Sequence, residues 1–279
     1  MKKHAKWLLV SGLIAMSLAL AMPAAAGQGK TLLMATTTST DNTGLLDYLA
    51  PEFTKATGIE LKWTAVGTGK ALKLGQNCDV DVLMVHAPGA EKKYVKEGYG
   101  IQRREVMFND FVIIGPPADP AGVKGQSVKS ALQTVAAKSA VFVSRGDNSG
   151  TNKKEISLWK STGAAVPEKE SWYVQTGQGM LASINIAAQK NGYTMTDRGT
   201  FIKYAHNHGG KPPLVVLVEG DDILKNQYSV MLVNPARCKK VQSDLAQQFC
   251  DWICDAPAQK LIADFRLMGK QLFTPDAKK

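Results

Sequence analysis

The sequence predicts an α/β protein with largely parallel sheets, and three of its features carry that expectation. Short apolar runs alternate with amphipathic stretches, the pattern of strands joined by crossover helices. Turns crowded with Ser, Thr and Gly recur where a strand gives way to a helix. The first 26 residues have the pattern of a secretory segment, so the folded part is expected to start after them.

Along the chain, Lys2, Lys3 and Lys6 form a basic start, Trp7 to Ala21 an apolar run, and Ala24-Ala25-Ala26 a small-residue cleavage site, with cleavage expected after Ala26. The apolar run falls short of the roughly 20 residues that a membrane span needs. Thr31 to Ala35 then reads as a strand, Leu45, Leu46, Leu49 and Phe53 as one helix face, and Ile59 to Trp63 as a strand. Lys70 to Leu74 is a short helix before the apolar run Val80 to Val85. Further strands are expected at Phe111 to Ile114, Ala140 to Val143, Trp172 to Val174, Leu214 to Val218 and Tyr228 to Val233. Helices fall between them at Ser127 to Ala137 and Gly179 to Gln189, and after them from Val241 to Phe265 with a break near Pro257. The cluster from Gly115 to Pro120 is the best candidate for a boundary.

Cleavage would leave 253 of 279 residues and, with three lysines and no acids removed, lower the net charge from +10 to +7. That length allows one large or two modest domains. The lysines are scattered and lack interleaved aromatics, which argues against a nucleic-acid partner and for a surface that attracts small anions. Of Cys78, Cys238, Cys250 and Cys254, an exported chain would be expected to bridge some. If 241–254 is one helix, Cys238 and Cys250 lie too far apart along it, and Cys250 with Cys254 suits regular helix geometry poorly. Cys78 with Cys238 is the preferred pair, and the spacing gives no zinc motif.

The donor-rich turns carry the functional signal. Ser144-Arg145-Gly146-Asp147-Asn148-Ser149-Gly150-Thr151 follows an apolar strand and precedes a helix, as does Thr36-Thr37-Thr38-Ser39-Thr40. Val66-Gly67-Thr68-Gly69 and Gln175-Thr176-Gly177-Gln178-Gly179 repeat the arrangement. Ligands of open α/β sheets collect at the carboxyl ends of strands, where free helix N–H groups favour an anion. Any one such turn is accounted for by helix capping; several in one chain point to a shared anion site. Other motifs fail. Gly67-Thr68-Gly69-Lys70 lacks the first P-loop glycine and its Ser or Thr. Gly177-Gln178-Gly179 only imitates a dinucleotide fingerprint, and Ser149 is outside nucleophile-elbow spacing. His206-Asn207-His208 reads as a surface loop, while His86 is the histidine placed to approach a cleft.

Taken together, TTTST, VGTG, DVDVLMVHAP, FNDFVIIGP, SRGDNSGT and YVQTGQGM, in this order from about Thr31 to Phe273, closely resemble the periplasmic tungstate-binding proteins of ABC importers. The resemblance implies a two-lobed, class II periplasmic binding fold: each lobe a mostly parallel sheet flanked by helices, joined by two hinge crossings. Lobe I would take 27–109 and a return segment 229–279, and lobe II 110–228, with crossings near Phe111 to Gly115 and Gln227 to Met231. It implies a tungstate ligand, with molybdate, sulfate or phosphate as alternatives, delivered by a monomer to a permease driven by a cytoplasmic ATPase. Neither enzymatic activity, cofactor nor metal ion as a resident group is implied; an exported hydrolase is the rival reading.

The ligand set implied is Thr37, Thr38, Ser39 and Thr68 from one lobe and Arg145, Ser149, Gly150 and Thr151 from the other, with Asp147 orienting Arg145. The Arg-x-Asp-x-Ser-Gly-Thr spacing is also similar to that of the phosphate-binding relatives. These carry an aspartate just after the strand that matches Leu83-Met84-Val85, where this chain has His86-Ala87-Pro88. A cavity offering donors alone is therefore expected, one that suits a fully ionised oxyanion and penalises a protonated one.

Overall fold

The computed structural model describes residues 30–278; the secretory segment expected at 1–26 lies outside the described residues. In chain order the first lobe is laid down by β1 (Lys30–Thr37), α1 (Thr38–Asp41), α2 (Leu45–Thr57), β2 (Ile59–Val66), α3 (Thr68–Gln76), β3 (Val82–Val85) and α4 (Pro88–Lys96). The 16-residue β4 (Gly100–Gly115) crosses to the second lobe. There follow α5 (Val128–Ala137), β5 (Phe142–Ser144), α6 (Gly150–Ser161), β6 (Tyr173–Gln175), α7 (Met180–Gln189), β7 (Tyr193–Asp197), α8 (Arg198–Asn207) and β8 (Val215–Val218). β9 (Lys225–Val233) returns to the first lobe, completed by α9 (Ser243–Cys254), α10 (Ala256–Asp264) and the short strands β10 (Arg266–Leu267), β11 (Lys270–Gln271) and β12 (Thr274–Pro275).

One hydrogen-bonded path runs β2-β1-β3-β9-β4-β7-β5-β6, with β8 and β12 also on β4. The outer strands pair in parallel, β1 with β2 and β3, and β5 with β6 and β7. The crossing strands pair antiparallel: β4 holds β9 from Gly100 to Asp110 and then β7 from Phe111 to Ile114. Asp110 opposite Lys225 marks the level at which both chains pass between lobes. β9 starts at Lys225, three residues before the strand expected at Tyr228 to Val233, and Gly115 pairs with Val215 of β8.

Both faces of each half-sheet are covered, and the alternation of side chains shows it. Val82 and Met84 of β3 and Val230 and Leu232 of β9 face a core with Leu45, Leu49 and Phe53 of α2 and Phe249 of α9. Their neighbours Leu83, Val85, Met231 and Val233 face another, under α3 and α4. In the second lobe Phe111 and Ile113 meet Leu132 of α5 and Trp159 of α6, whereas Val112 and Ile114 meet Ile184 of α7 and Tyr204 of α8. A period of two, with β3, β9 and the second half of β4 apolar on both sides, is what a doubly covered sheet demands. α2 ends where Gly58 turns left-handed at φ 72° and donates its N–H to the Thr54 carbonyl.

The expected helix from Val241 to Phe265 is two helices that meet at Asp255, and Pro257 lies in the first turn of α10, where its missing N–H costs nothing. Cys78 and Cys238 form a disulfide, Cα atoms 5.4 Å apart, tying the end of α3 to the turn after β9. Cys250 and Cys254 are free and buried, and burial pushes the Cys250 thiol up to about 12.

Candidate functional site

The carboxyl ends of the parallel strands from both lobes converge on a cavity of about 540 Å³. From the first lobe Thr38, Ser39, Asn42 and Thr43 line it; from the second come Arg145, Thr151 and the starts of α7 and α8, including Met180, Asp197, Thr200 and Lys203. Leu267, at the far end of the chain, closes one side.

The first-lobe wall is neutral. Thr37 ends β1 and is buried; its hydroxyl caps α1 by accepting from the Thr40 N–H at 3.3 Å and meets the hydroxyls of Thr40 at 2.7 Å and Ser39 at 3.1 Å. Behind it stands His86, just after β3. Its Nε2 is 2.9 Å from Ser39 Oγ and 3.0 Å from Thr37 Oγ1, and its Nδ1 is 3.0 Å from Asn226 Oδ1. Asn226 in turn donates from Nδ2 to Asn109 Oδ1 at 2.8 Å. That orientation leaves the Asn226 oxygen to accept, so His86 carries its proton on Nδ1 and presents Nε2 as an acceptor to the hydroxyls. Burial holds His86 below its ordinary value of 6.5, against the Asn226 hydrogen bond and the charge of Asp197. Asn109 on β4 and Asn226 on β9 belong to the crossing strands, so the wall is anchored where the lobes join.

The second-lobe wall is charged. Arg145 Nη2 donates to Asp147 Oδ2 at 2.5 Å, and Asp147 Oδ1 accepts the Ser149 N–H at 3.2 Å. Burial pushes the Asp147 carboxyl up, but the Ser149 and Arg145 hydrogen bonds outweigh it and leave it below its ordinary value. Arg145 Nε is buried and has no partner among the described residues. Gly146, at φ 59°, brings the loop against Gln175, where an added Cβ would lie 2.9 Å from the Gln175 Cβ. The Gln175–Gly179 turn supports the arginine from behind: the Gly177 N–H donates to the Arg145 carbonyl at 2.8 Å, and the Thr176 N–H to the Ser144 carbonyl at 3.0 Å.

Beneath this loop lies Glu155, buried on α6. It accepts from Ser144 Oγ at 2.5 Å, Tyr173 OH at 2.6 Å and Trp159 Nε1 at 3.0 Å. Ser144 Oγ itself accepts from the Gly146 N–H and from Asn152 Nδ2, so its own proton points at the carboxylate. Burial pushes Glu155 up, against the pull of these donors.

Of the residues expected in the site, Thr38, Ser39, Arg145 and Thr151 line the cavity. Thr37 and Asp147 stand behind them as described. Ser149 caps α6, its hydroxyl accepting the Asn152 N–H at 3.2 Å, and Gly150 is the first residue of that helix. Thr68 opens α3 and is not part of the cavity lining. The expectation of a cavity without carboxylates is corrected: Asp197 lines it, its two oxygens accepting from the Thr200 N–H at 2.8 Å and Thr200 Oγ1 at 2.7 Å as it caps α8. The β7–α8 unit was missed because Thr194-Met195-Thr196 buries threonines and shows no apolar run. Asp197 followed three residues later by Thr200, a helix-start pattern, was the available signal. His206-Asn207-His208 ends α8, and among the described residues no group of three or more His, Cys, Asp or Glu could hold a metal ion.

A pair of doubly covered α/β lobes, joined by two crossing strands and holding their site between strand ends, defines a two-lobed binding-protein architecture. The PBP superfamily domain matches residues 24–256. The tungstate-binding protein TupA of Campylobacter jejuni is 53% identical over 240 residues, 86% of this chain and 89% of that one. Among solved structures, the tungstate-binding protein TupA of Desulfovibrio alaskensis G20 is 67% identical with a TM-score of 0.88, covering 89% of this chain and all of that one. The tungstate ABC transporter structure from Geobacter sulfurreducens is 46% identical with a TM-score of 0.73, over 84% of this chain and 98% of that one. The chain belongs to the PBP superfamily and, within it, to the family of these TupA proteins.

Proposed function

We propose that the chain is a periplasmic binding protein that captures tungstate between its lobes and delivers it, as a monomer, to an ABC permease driven by a cytoplasmic ATPase. The observation that carries this reading is Arg145: a half-buried guanidinium at a cavity wall, held by Asp147, with its buried Nε unpartnered. An unmade buried hydrogen bond to a charged group is costly, and an oxyanion in the cavity removes that cost. The names of the relatives support tungstate as that anion. Thr38, Ser39 and Thr151 supply hydroxyls and Gly150 a backbone N–H, while Thr37, Asp147 and Ser149 hold the loops in place. Molybdate, of equal charge and nearly equal size, is the second ligand in this reading. The lobes close over the anion by bending at the Asp110–Lys225 crossing, a hinge movement, and no bond in the cargo is made or broken.

One geometry favours the hydrolase reading: Ser39, His86 and Asn226 stand in the order nucleophile, base and orienting group. Against it, Asn226 carries no charge to stabilise an imidazolium, and Thr37 shares the same His86 nitrogen. Calorimetric titration of ligand-stripped protein with tungstate, molybdate, sulfate and phosphate tests the binding reading. Submicromolar tungstate affinity with phosphate silent is expected; absence of tungstate binding overturns it. Turnover of generic esters that S39A abolishes would instead establish the hydrolase.

A further inference from the structure

Lys203 is the cation in the cavity for which the reading above has no use. It sits in the middle of α8, and its Nζ reaches across the cleft to donate to the main-chain carbonyl of Asn42, the residue that caps the end of α1. Both residues line the cavity. Its partner is therefore a neutral oxygen from the opposite lobe. The other cations nearby are matched: Arg145 by Asp147, and Arg198 by Asp110 and Glu219.

The charge balance of the wall makes this position matter. Arg145 is offset by Asp147, and Asp197 adds a further carboxylate to the lining. Without Lys203 a doubly charged anion would face one cation and two carboxylates. With it, cations and carboxylates balance, and two positive charges stand on the cavity wall. An ammonium has three donors, so Lys203 can keep the Asn42 carbonyl and still donate to an anion. Asp197 is turned toward Thr200, each of its oxygens accepting from the start of α8, while Lys203 donates to the Asn42 carbonyl.

We propose that Lys203 sets the charge selectivity of the site: it supplies the second positive charge to a tetrahedral dianion, and so makes the site prefer doubly over singly charged oxyanions of one size. The inference rests on the oxyanion-binding reading above and assigns to α8 a ligand-contacting residue.

Perrhenate is the probe, a tetrahedral ion of nearly the size of tungstate with one negative charge. Wild type, K203M and K203R are titrated with tungstate and with perrhenate at one ionic strength, after thermal unfolding confirms that each variant folds. Wild type is expected to favour tungstate strongly. K203M is expected to lose tungstate affinity on the order of tenfold to a hundredfold, the range for a charge-assisted hydrogen bond, while perrhenate, with half the charge, loses only about threefold to tenfold. K203R is expected to keep most of the preference. An equal loss for both ions makes Lys203 a bridge between lobes and overturns the proposal, as does an unchanged ratio. Wild type that binds neither ion brings down the oxyanion-binding reading itself. If K203M fails to fold, K203Q is titrated in its place against the same criteria.

Discussion

The two walls of the cavity offer an anion the same hydrogen-bond donors by opposite means. The first-lobe wall, built on Thr37 to Thr40, is neutral throughout: its hydroxyls are ordered by a neutral imidazole, and that by two asparagines on the crossing strands. The second-lobe wall carries Arg145 and Asp147 at the surface and a buried carboxylate, Glu155, beneath. Neutral donors cost little to leave open to water, so the first wall can stand exposed in the open protein. A charged wall must be held in shape against its own desolvation, and here two supports do it: Glu155 from below and the Gln175–Gly179 turn from behind.

The comparison can be broken most sharply at Glu155. Replacing it by Ala strands the Ser144, Tyr173 and Trp159 donors in the core, and a loss of about 3 kcal/mol in unfolding free energy is expected by denaturant titration. Loss of less than about 1 kcal/mol would show that the charged wall does not depend on its buried support. Next comes Arg145→Ala, which removes the charge and leaves Asp147 unpaired. Calorimetry is expected to show tungstate affinity falling by about 2–3 kcal/mol, with Arg145→Lys recovering part of it because it restores charge without the guanidinium fork.

The neutral wall responds to pH. His86 is held below 6.5 in the fold, so between its folded value and 6.5 the unfolded chain binds the extra proton. Stability is therefore full above 6.5 and declines as pH falls through that window, at no more than about 1.4 kcal/mol per pH unit. Comparison of unfolding at pH 7 and pH 5.5 for wild type and His86→Gln should show a contribution that the variant lacks; equal pH dependence would mean that His86 titrates normally. The smallest effect is expected for Ser39→Ala, about 1 kcal/mol in tungstate affinity by calorimetry, since one neutral hydroxyl is lost and Thr38 remains. A loss as large as that of Arg145→Ala would erase the distinction between the walls.

Local pattern alone determined much of this protein. The apolar runs of β1, β3, β5 and β9 and the donor-rich turns after them were legible because strand burial and helix capping act over a few residues. So was Arg145, since a charged residue among small donors at a strand end has few other uses. Three things were decided only by the tertiary structure. β4 is read from Phe111 to Ile114 in sequence because its first half is mostly polar and half-buried; it is a strand from Gly100 because β9 is there to pair with it. His86 became the hub of the neutral wall when β3, β4 and β9 aligned at the crossing and brought Asn109 and Asn226 to it. Asp197, at the end of β7, and Lys203, on α8, line the cavity together with first-lobe residues, a placement set by packing between residues distant in sequence. Such packing leaves no mark on the chain near Lys203, whereas the Asp197–Thr200 cap, like an apolar stripe, is written within a single turn.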